Sequence, residues 1–383
     1  MKRATLFFQA EDGQHGKELW QVRADGSVSL ISDIHLGMNA PALSDQAPVG
    51  VQFNGAFYFK AESGVYGKEL WRVTPDGLVA LVADIAPGTH NSLDQSNFNL
   101  TFVSYRSELY FGAADMLAGP DLWKVKANGS VAKVADLNPG LFVSPPIVMA
   151  DFNNELYFWV SDGLTGTALH KLKTDGGVVD VTGPGGSSLF VGPAQSSIVF
   201  GNELYFRASD SISKVKADGS VSVIANVSGD VSGFNIFNNE LYFANSNGLF
   251  KVAAGGTAVL VAGIGVVETR FSSSTIFNGE MCFCGSDGAH GAELWKVKAD
   301  GSVVLAADVN PGSGSSFDIF RSFAVFDGDL YFKAGDGTHG RTVEADGGRR
   351  RDDGRRHPAR DRGRAQRCNA PDRVRQRTLF QGG

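Results

Sequence analysis

The chain has 383 residues, 35 basic and 41 acidic, a net charge of −6, with 48 glycines and 3 cysteines. Its 43% hydrophobic and 20% charged residues describe a folded globular chain and exclude wholesale disorder. The acidic balance disfavours a nucleic-acid partner and three cysteines disfavour a disulfide scaffold; no apolar run reaches the roughly 18 residues of a membrane helix.

Read from the N-terminus, short β-type runs follow one another, organised by an internal repeat. An apolar triplet, usually Leu-Tyr-Phe, ends at Phe8, Phe59, Phe111, Phe158, Phe206, Phe243, Phe283 and Phe332. The mean spacing of about 46 residues falls in the range of propeller blades. The second repeat shows the unit. Residues 51–53 form a first run, closed by Asn54-Gly55. Residues 57–61 form a second, followed by a loop at 62–67. Residues 69–73 form a third, closed by Asp76-Gly77, and residues 79–82 form a fourth, leaving through Pro87-Gly88. Each run is β-branched or aromatic and bounded by turn residues. Asn-Gly, Asn-Asn and Asp-Gly pairs favour positive φ and tight hairpins, so each repeat is predicted to be a four-stranded antiparallel meander. The second and third strands are apolar on both faces, as sheets stacked between two neighbours require. The predicted fold is therefore an all-β propeller over residues 1–340.

The first repeat lacks a first strand. The run Ser322 to Phe326 is a candidate to supply it and close a seven-bladed ring, with an eight-bladed ring as the alternative. The fourth repeat carries His170 where others carry Trp. The fifth and sixth lose the loop between second and third strands.

The pattern stops after Gly340. Residues 341–383 hold 13 Arg, no Lys and 6 acids, a net of +7, whereas residues 1–340 carry −13. A change of basic residue so abrupt suggests a changed reading frame. Val374 to Gly383 admits a coding whose one-base shift reads Phe-Val-Asn-Glu-Leu-Tyr-Phe-Lys-Ala, the repeat's own hairpin. Arg341 to Ala345 admits one whose shift reads Arg-Trp-Lys-Leu, the missing third strand. The expectation is a frameshifted, disordered tail. Codons incompatible with the shifted reading would overturn it. A native basic tail binding nucleic acid or acidic lipid is the alternative.

The strings Gly16-Lys17-Glu18-Leu19-Trp20, Gly67-Lys68-Glu69-Leu70-Trp71 and Gly291-Ala292-Glu293-Leu294-Trp295, with Asp121-Leu122-Trp123 as a variant, resemble the bacterial ELWxxDGT repeat family over residues 1–340. Here four residues rather than two separate Trp20 from Asp25-Gly26, and Ser27 stands where the family has Thr. The resemblance implies a secreted or surface propeller-type repeat protein. It supplies no catalytic residues.

Several side chains are candidates for chemistry. Glu18, Glu69, Asp121 and Glu293 begin third strands. They read either as calcium ligands, with Asp12 or Asp287, or as carboxylates accepting backbone N–H bonds in their own loops; the second reading is favoured. His15, His290 and His339 share one loop position and read as exposed histidines rather than zinc ligands. Trp20, Trp71, Trp123 and Trp295 read as packing between blades rather than as sugar-stacking platforms. Trp159 stands outside their register and is the candidate for exposure. Cys282 and Cys284 share one face of a strand and read as a buried reduced pair; Cys368 lies in the tail. No catalytic constellation, cofactor motif or phosphate loop stands out.

The expected function is non-catalytic: an extracellular or cell-surface binding module for a glycan or a protein, monomeric and without a cofactor. A hydrolase or lyase with carboxylates at a central channel and a calcium-stabilised adhesin are the alternatives. Residues 1–5 show no apolar signal core, which leaves the export route open.

Overall fold

The computed structural model describes residues 5–23, 25–35, 50–93, 101–115, 119–137, 146–161, 167–184, 197–208, 211–227, 231–253, 256–266, 274–317, 323–326, 328–335, 340–345 and 374–375. These form eight antiparallel sheets, all with strands in sequence order. Sheet 1 spans residues 5–32 and has three strands. Sheets 2 to 8 have four each and span residues 50–83, 103–135, 147–180, 197–226, 233–262, 275–307 and 323–375. The fold is an all-β propeller, as the repeat predicts. The chain divides into two compact units, residues 1–234 with 254–258, and residues 235–253 with 259–383.

The turns explain the meander. In the first hairpin, Asn54-Gly55, Asn153-Asn154, Asn238-Asn239 and Asn278-Gly279 all have positive φ at both central residues, the geometry whose twist matches that of the flanking strands. In the second, the residue before the loop accepts an N–H from the glycine three positions on and donates to the carbonyl four on, as at Arg23, Gly26 and Ser27. This is a three-residue loop ending in a left-handed glycine. The Asp side chain fixes it further by accepting the N–H two residues on: Ser27 donates to Asp25 and Ser302 to Asp300.

A bulge recurs between the last two strands of a sheet, at Leu19/Trp20, Leu70/Trp71, Leu122/Trp123 and Leu294/Trp295. The extra residue on the last strand bends the departing chain.

In the first unit, sheets 1 to 5 pack face to face in succession. Phe53, Tyr58 and Leu70 of sheet 2 meet Leu109, Phe111 and Val125 of sheet 3. Tyr105, Tyr110 and Leu122 of sheet 3 meet Leu156, Phe158 and Leu172 of sheet 4. The first strands of sheets 3, 4 and 5, Val103–Tyr105, Ile147–Phe152 and Ser197–Phe200, lie together at the inner edge. In the second unit, Tyr242 and Leu249 of sheet 6 meet Met281, Phe283 and Trp295 of sheet 7. Leu294 of sheet 7 meets Leu330 and Phe332 of sheet 8.

Two expectations are corrected. Phe323–Phe326 does not serve the first sheet: it pairs with Asp329–Gly335 in a sheet of its own. Gly328, at φ 88, makes that hairpin local, and short loops close at less entropic cost than distant pairings. Strand pairing also passes residue 340. Gly340–Ala345 pairs in register with Asp329–Gly335, and Val374–Arg375 pairs with it in turn. The period-2 pattern of Arg341 to Ala345 still suits a strand although its composition has changed. The remainder of the expected tail, Cys368 included, lies outside the described residues. Among the described residues, no helix is long and apolar enough to cross a membrane.

Candidate ligand cleft between neighbouring blades

The four marked carboxylates are wholly buried. Each holds the chain that leaves its sheet. Glu18 accepts the Ile34 N–H at 3.2 Å and Asp121 accepts that of Leu137 at 3.0 Å. Glu69 accepts the N–H groups of Ile85 and Ala86 and, at 2.6 Å, the Ser92 hydroxyl. Glu293 accepts the N–H groups of Val309, Asn310 and Ser316. The backbone-acceptor reading holds, but the donors lie 16 to 23 residues downstream rather than in the acid's own loop.

The held loop then latches the next sheet. Ser92 donates its N–H to the Lys68 carbonyl and accepts that of Ala114 in sheet 3. Ser316 does the same between Ala292 and Gly335. Asp12 and Asp287 do not join these clamps. Asp12 accepts the N–H groups of Gln14 and His15 and pairs with the His15 ring; Asp287 treats Ala289 and His290 alike. Among the described residues no grouping of three His, Cys, Asp or Glu side chains is suited to a cation. His339 lies outside the described residues.

Burial raises the carboxyls of Glu69, Asp121 and Glu293 above the ordinary range, against the pull of their hydrogen bonds. The folded chain therefore binds these protons more tightly than the unfolded chain, and stability falls as pH rises from the unfolded value through the raised one. The unfolded value for glutamate is about 4.5. Wild type is thus expected to gain melting temperature relative to Glu69→Gln as pH falls from 7 to 5. Paired melts across that interval check the sign.

Three of the four tryptophans pack as expected, while Trp20 is half-buried and donates its indole N–H to Ala10 O. Trp71, Trp123 and Trp295 join apolar clusters that span neighbouring sheets. Trp159 is a correction: it is 1% exposed and meets Phe206 of sheet 5 edge-on at 5.8 Å. Its position alternates into the space between sheets even though it lies off the common Trp register. Cys282 and Cys284 are buried and reduced, and burial raises the Cys282 thiol to about 11.

A second recurring set lies at the start of the second strand. Glu108, Glu155, Glu203, Glu240 and Glu280 pair with Lys124, Lys171, Lys214, Lys251 and Lys296 at 2.6 to 2.7 Å. In four of these the Tyr two residues on donates its hydroxyl to the same Glu; in sheet 7 Cys282 takes that place. A third tie joins successive sheets. The first hairpin residue of one sheet reaches the second hairpin turn of the next: Asn54 donates to Ala127 O, Asn153 to Ala217 O and Asn238 to Ala299 O.

Sheet 3 departs from this rule in its first hairpin, which reads Tyr105-Arg106-Ser107 where the others read Phe-Asn-Asn, Phe-Asn-Gly or close variants. Arg106 donates to Thr174 O at 3.1 Å, the position the asparagines reach elsewhere. The Tyr105 hydroxyl donates to Asn154 O at 2.7 Å. Arg106 and Ser107 have φ of 51° and 60°, a left-handed pair without Asn or Gly. Each such residue costs roughly 1 kcal/mol. A cleft of about 440 Å³ opens here between sheets 3 and 4. Its walls carry Arg106, Glu108, Lys124, Lys133, Lys173 and Thr174 over the edges of Tyr105 and Tyr110. The sequence reading missed this site. The signal was present as the loss of Phe and Asn from one copy of a seven-times repeated hairpin.

Lys124 is paired with Glu108, and Lys133 bridges Asp115 and Asp121 at 2.8 and 2.6 Å. Among the described residues Arg106 and Lys173 have no carboxylate partner.

No protein-family model matches the chain, and no curated protein matches it. Among solved structures it is similar to puromycin hydrolase at 15% identity and a TM-score of 0.49, covering 80% of this chain and 52% of that one. The BP39L lectin from Burkholderia pseudomallei matches at 12% identity and 0.46, covering 76% and 92%. The computationally designed Ika8 protein matches at 13% and 0.46, covering 88% and 95%. The chain thus spans about half the length of the puromycin hydrolase it resembles.

Proposed function

We propose that the chain is a non-catalytic binding module that takes a glycan in the cleft between sheets 3 and 4, in an extracellular or cell-surface setting. The observation that carries this reading is the departure from the repeat. Among the described residues the other first hairpins turn on Asn and Gly without strain, and the one that does not places Tyr105 and Arg106 on the cleft wall. Strain kept at one copy of a repeated turn points to a role the other copies lack. The volume suits one or a few sugar rings, and the walls offer hydroxyl, amine and carbonyl groups for a polyol.

The carboxylates favour binding over hydrolysis. Glu18, Glu69, Asp121 and Glu293 are engaged by the departing chain. The exposed position of the first strands is Gln52, Ser104, Asp151 and Val199 in the first unit, and Ile236, Ile276 and Val325 in the second. Acid–base hydrolysis of a glycoside uses two carboxyl groups, and this set supplies one. The test is a glycan array probed with the full chain, alongside assays for glycoside and peptide hydrolysis. Reproducible sugar binding without turnover is the expected result. Turnover of any substrate, or an array without signal, overturns the reading.

A further inference from the structure

We infer that the cleft recognises an acidic sugar, through a cation pair formed by Arg106 and Lys173; this rests on the glycan reading above and narrows it to saccharides carrying an oxyanion. Lys173 is supplied by the repeat, which places a lysine at the same turn position as Lys126, Lys216 and Lys298. Elsewhere that turn faces a neutral asparagine from the preceding sheet, as Asn153 faces the turn after Lys216. Among the described residues only here does the facing residue become a cation. The substitution brings Arg106 and Lys173 to one cleft, whose one lining carboxylate, Glu108, is taken by Lys124. Two like charges left without a counter-charge repel each other, and an anion seated between them reverses the sign of that interaction.

The chemistry selects the anion. One guanidinium N–H is held by Thr174 O, which fixes the plane of the group. The guanidinium also engages the Tyr105 side chain, and its outward N–H donors match a carboxylate or a sulfate, with Lys173 supplying a point charge beside it. The cleft is larger than a bare ion needs, so the charge is carried on a sugar ring whose hydroxyls meet the Thr174 and Tyr110 edges.

The test titrates the full chain with three labelled trisaccharides: one of galacturonate, one sulfated and one neutral. Lys173→Ser and the double variant Arg106→Asn/Ser107→Gly are measured beside wild type. The double variant restores the hairpin that the other sheets use, so a loss of binding does not come from misfolding. The expected result is binding of an acidic trisaccharide at least tenfold tighter than of the neutral one, weakened tenfold or more by either variant. Binding should also weaken as sodium chloride rises from 50 to 300 mM. Preference between galacturonate and the sulfated sugar identifies the anion. Equal binding of neutral and acidic sugars, or variants that bind as wild type does, overturns the inference and leaves the glycan reading standing. Failure of all three trisaccharides to bind, on a chain that also gives no array signal, overturns both.

Discussion

Glu69→Ala is expected to destabilise the first unit by about 3 to 5 kcal/mol, among the largest effects available to a single substitution in this chain. The Glu69 side chain is completely buried and receives three donors, the N–H groups of Ile85 and Ala86 and the Ser92 hydroxyl. Alanine removes every acceptor at once and leaves each donor to be resolvated or orphaned, at about 1 to 3 kcal/mol apiece. The damage does not stop at the loop. Ser92 is also the residue whose carbonyl takes the Ala114 N–H of sheet 3, so loosening it releases the latch between sheets 2 and 3. Glu69→Gln keeps one acceptor oxygen and is expected to lose less. Denaturant unfolding of the two variants checks the order; an alanine variant as stable as wild type would show that the clamp adds nothing.

Gly112→Ala is expected to cost about 3 kcal/mol or more, although it adds one methyl group to a strand interior. A Cβ at residue 112 would lie 1.9 Å from the Pro146 carbonyl oxygen and 2.9 Å from its carbon. Both are backbone atoms leading into the first strand of sheet 4, so no side-chain rotation relieves the contact. The same position holds Lys60 in sheet 2 and Trp159 in sheet 4, which shows that the strand itself tolerates a side chain. The constraint comes from how closely sheet 4 approaches sheet 3. A melting temperature within a degree of wild type would mean that this approach is looser than the structure places it.

The repeat made most of the fold legible before any coordinates. Positive φ at Asn54-Gly55 and Asn153-Asn154 follows from the residue types alone, and so does the left-handed glycine after Asp25. The two-sided apolar pattern of the second and third strands required neighbours on both faces, and the clusters between sheets supply them. The destination of the acids was not legible. Nothing local says that Glu69 meets Ser92, because the meeting depends on the bulge at Leu70/Trp71 that bends the chain back. Trp159 misled for a related reason. Its alternation was visible, but whether the outward face of that strand meets solvent or sheet 5 is set by the neighbouring sheet. The cleft is the reverse case. Tyr105-Arg106-Ser107 is a plain departure from the hairpin, yet one copy among several looks like drift until the structure shows Tyr105 and Arg106 lining one cleft.

The most direct measurement is a set of thermal melts of wild type and Arg106→Asn/Ser107→Gly, each with and without a saturating galacturonate oligomer. Relief of two strained left-handed residues is worth roughly 1 to 2 kcal/mol, so the ligand-free variant is expected to melt about 1 to 4 °C above wild type. Ligand at about 100 times its dissociation constant contributes roughly 2.7 kcal/mol and is expected to raise wild type alone. A variant that melts lower without ligand, or that gains as much from ligand as wild type, contradicts the account.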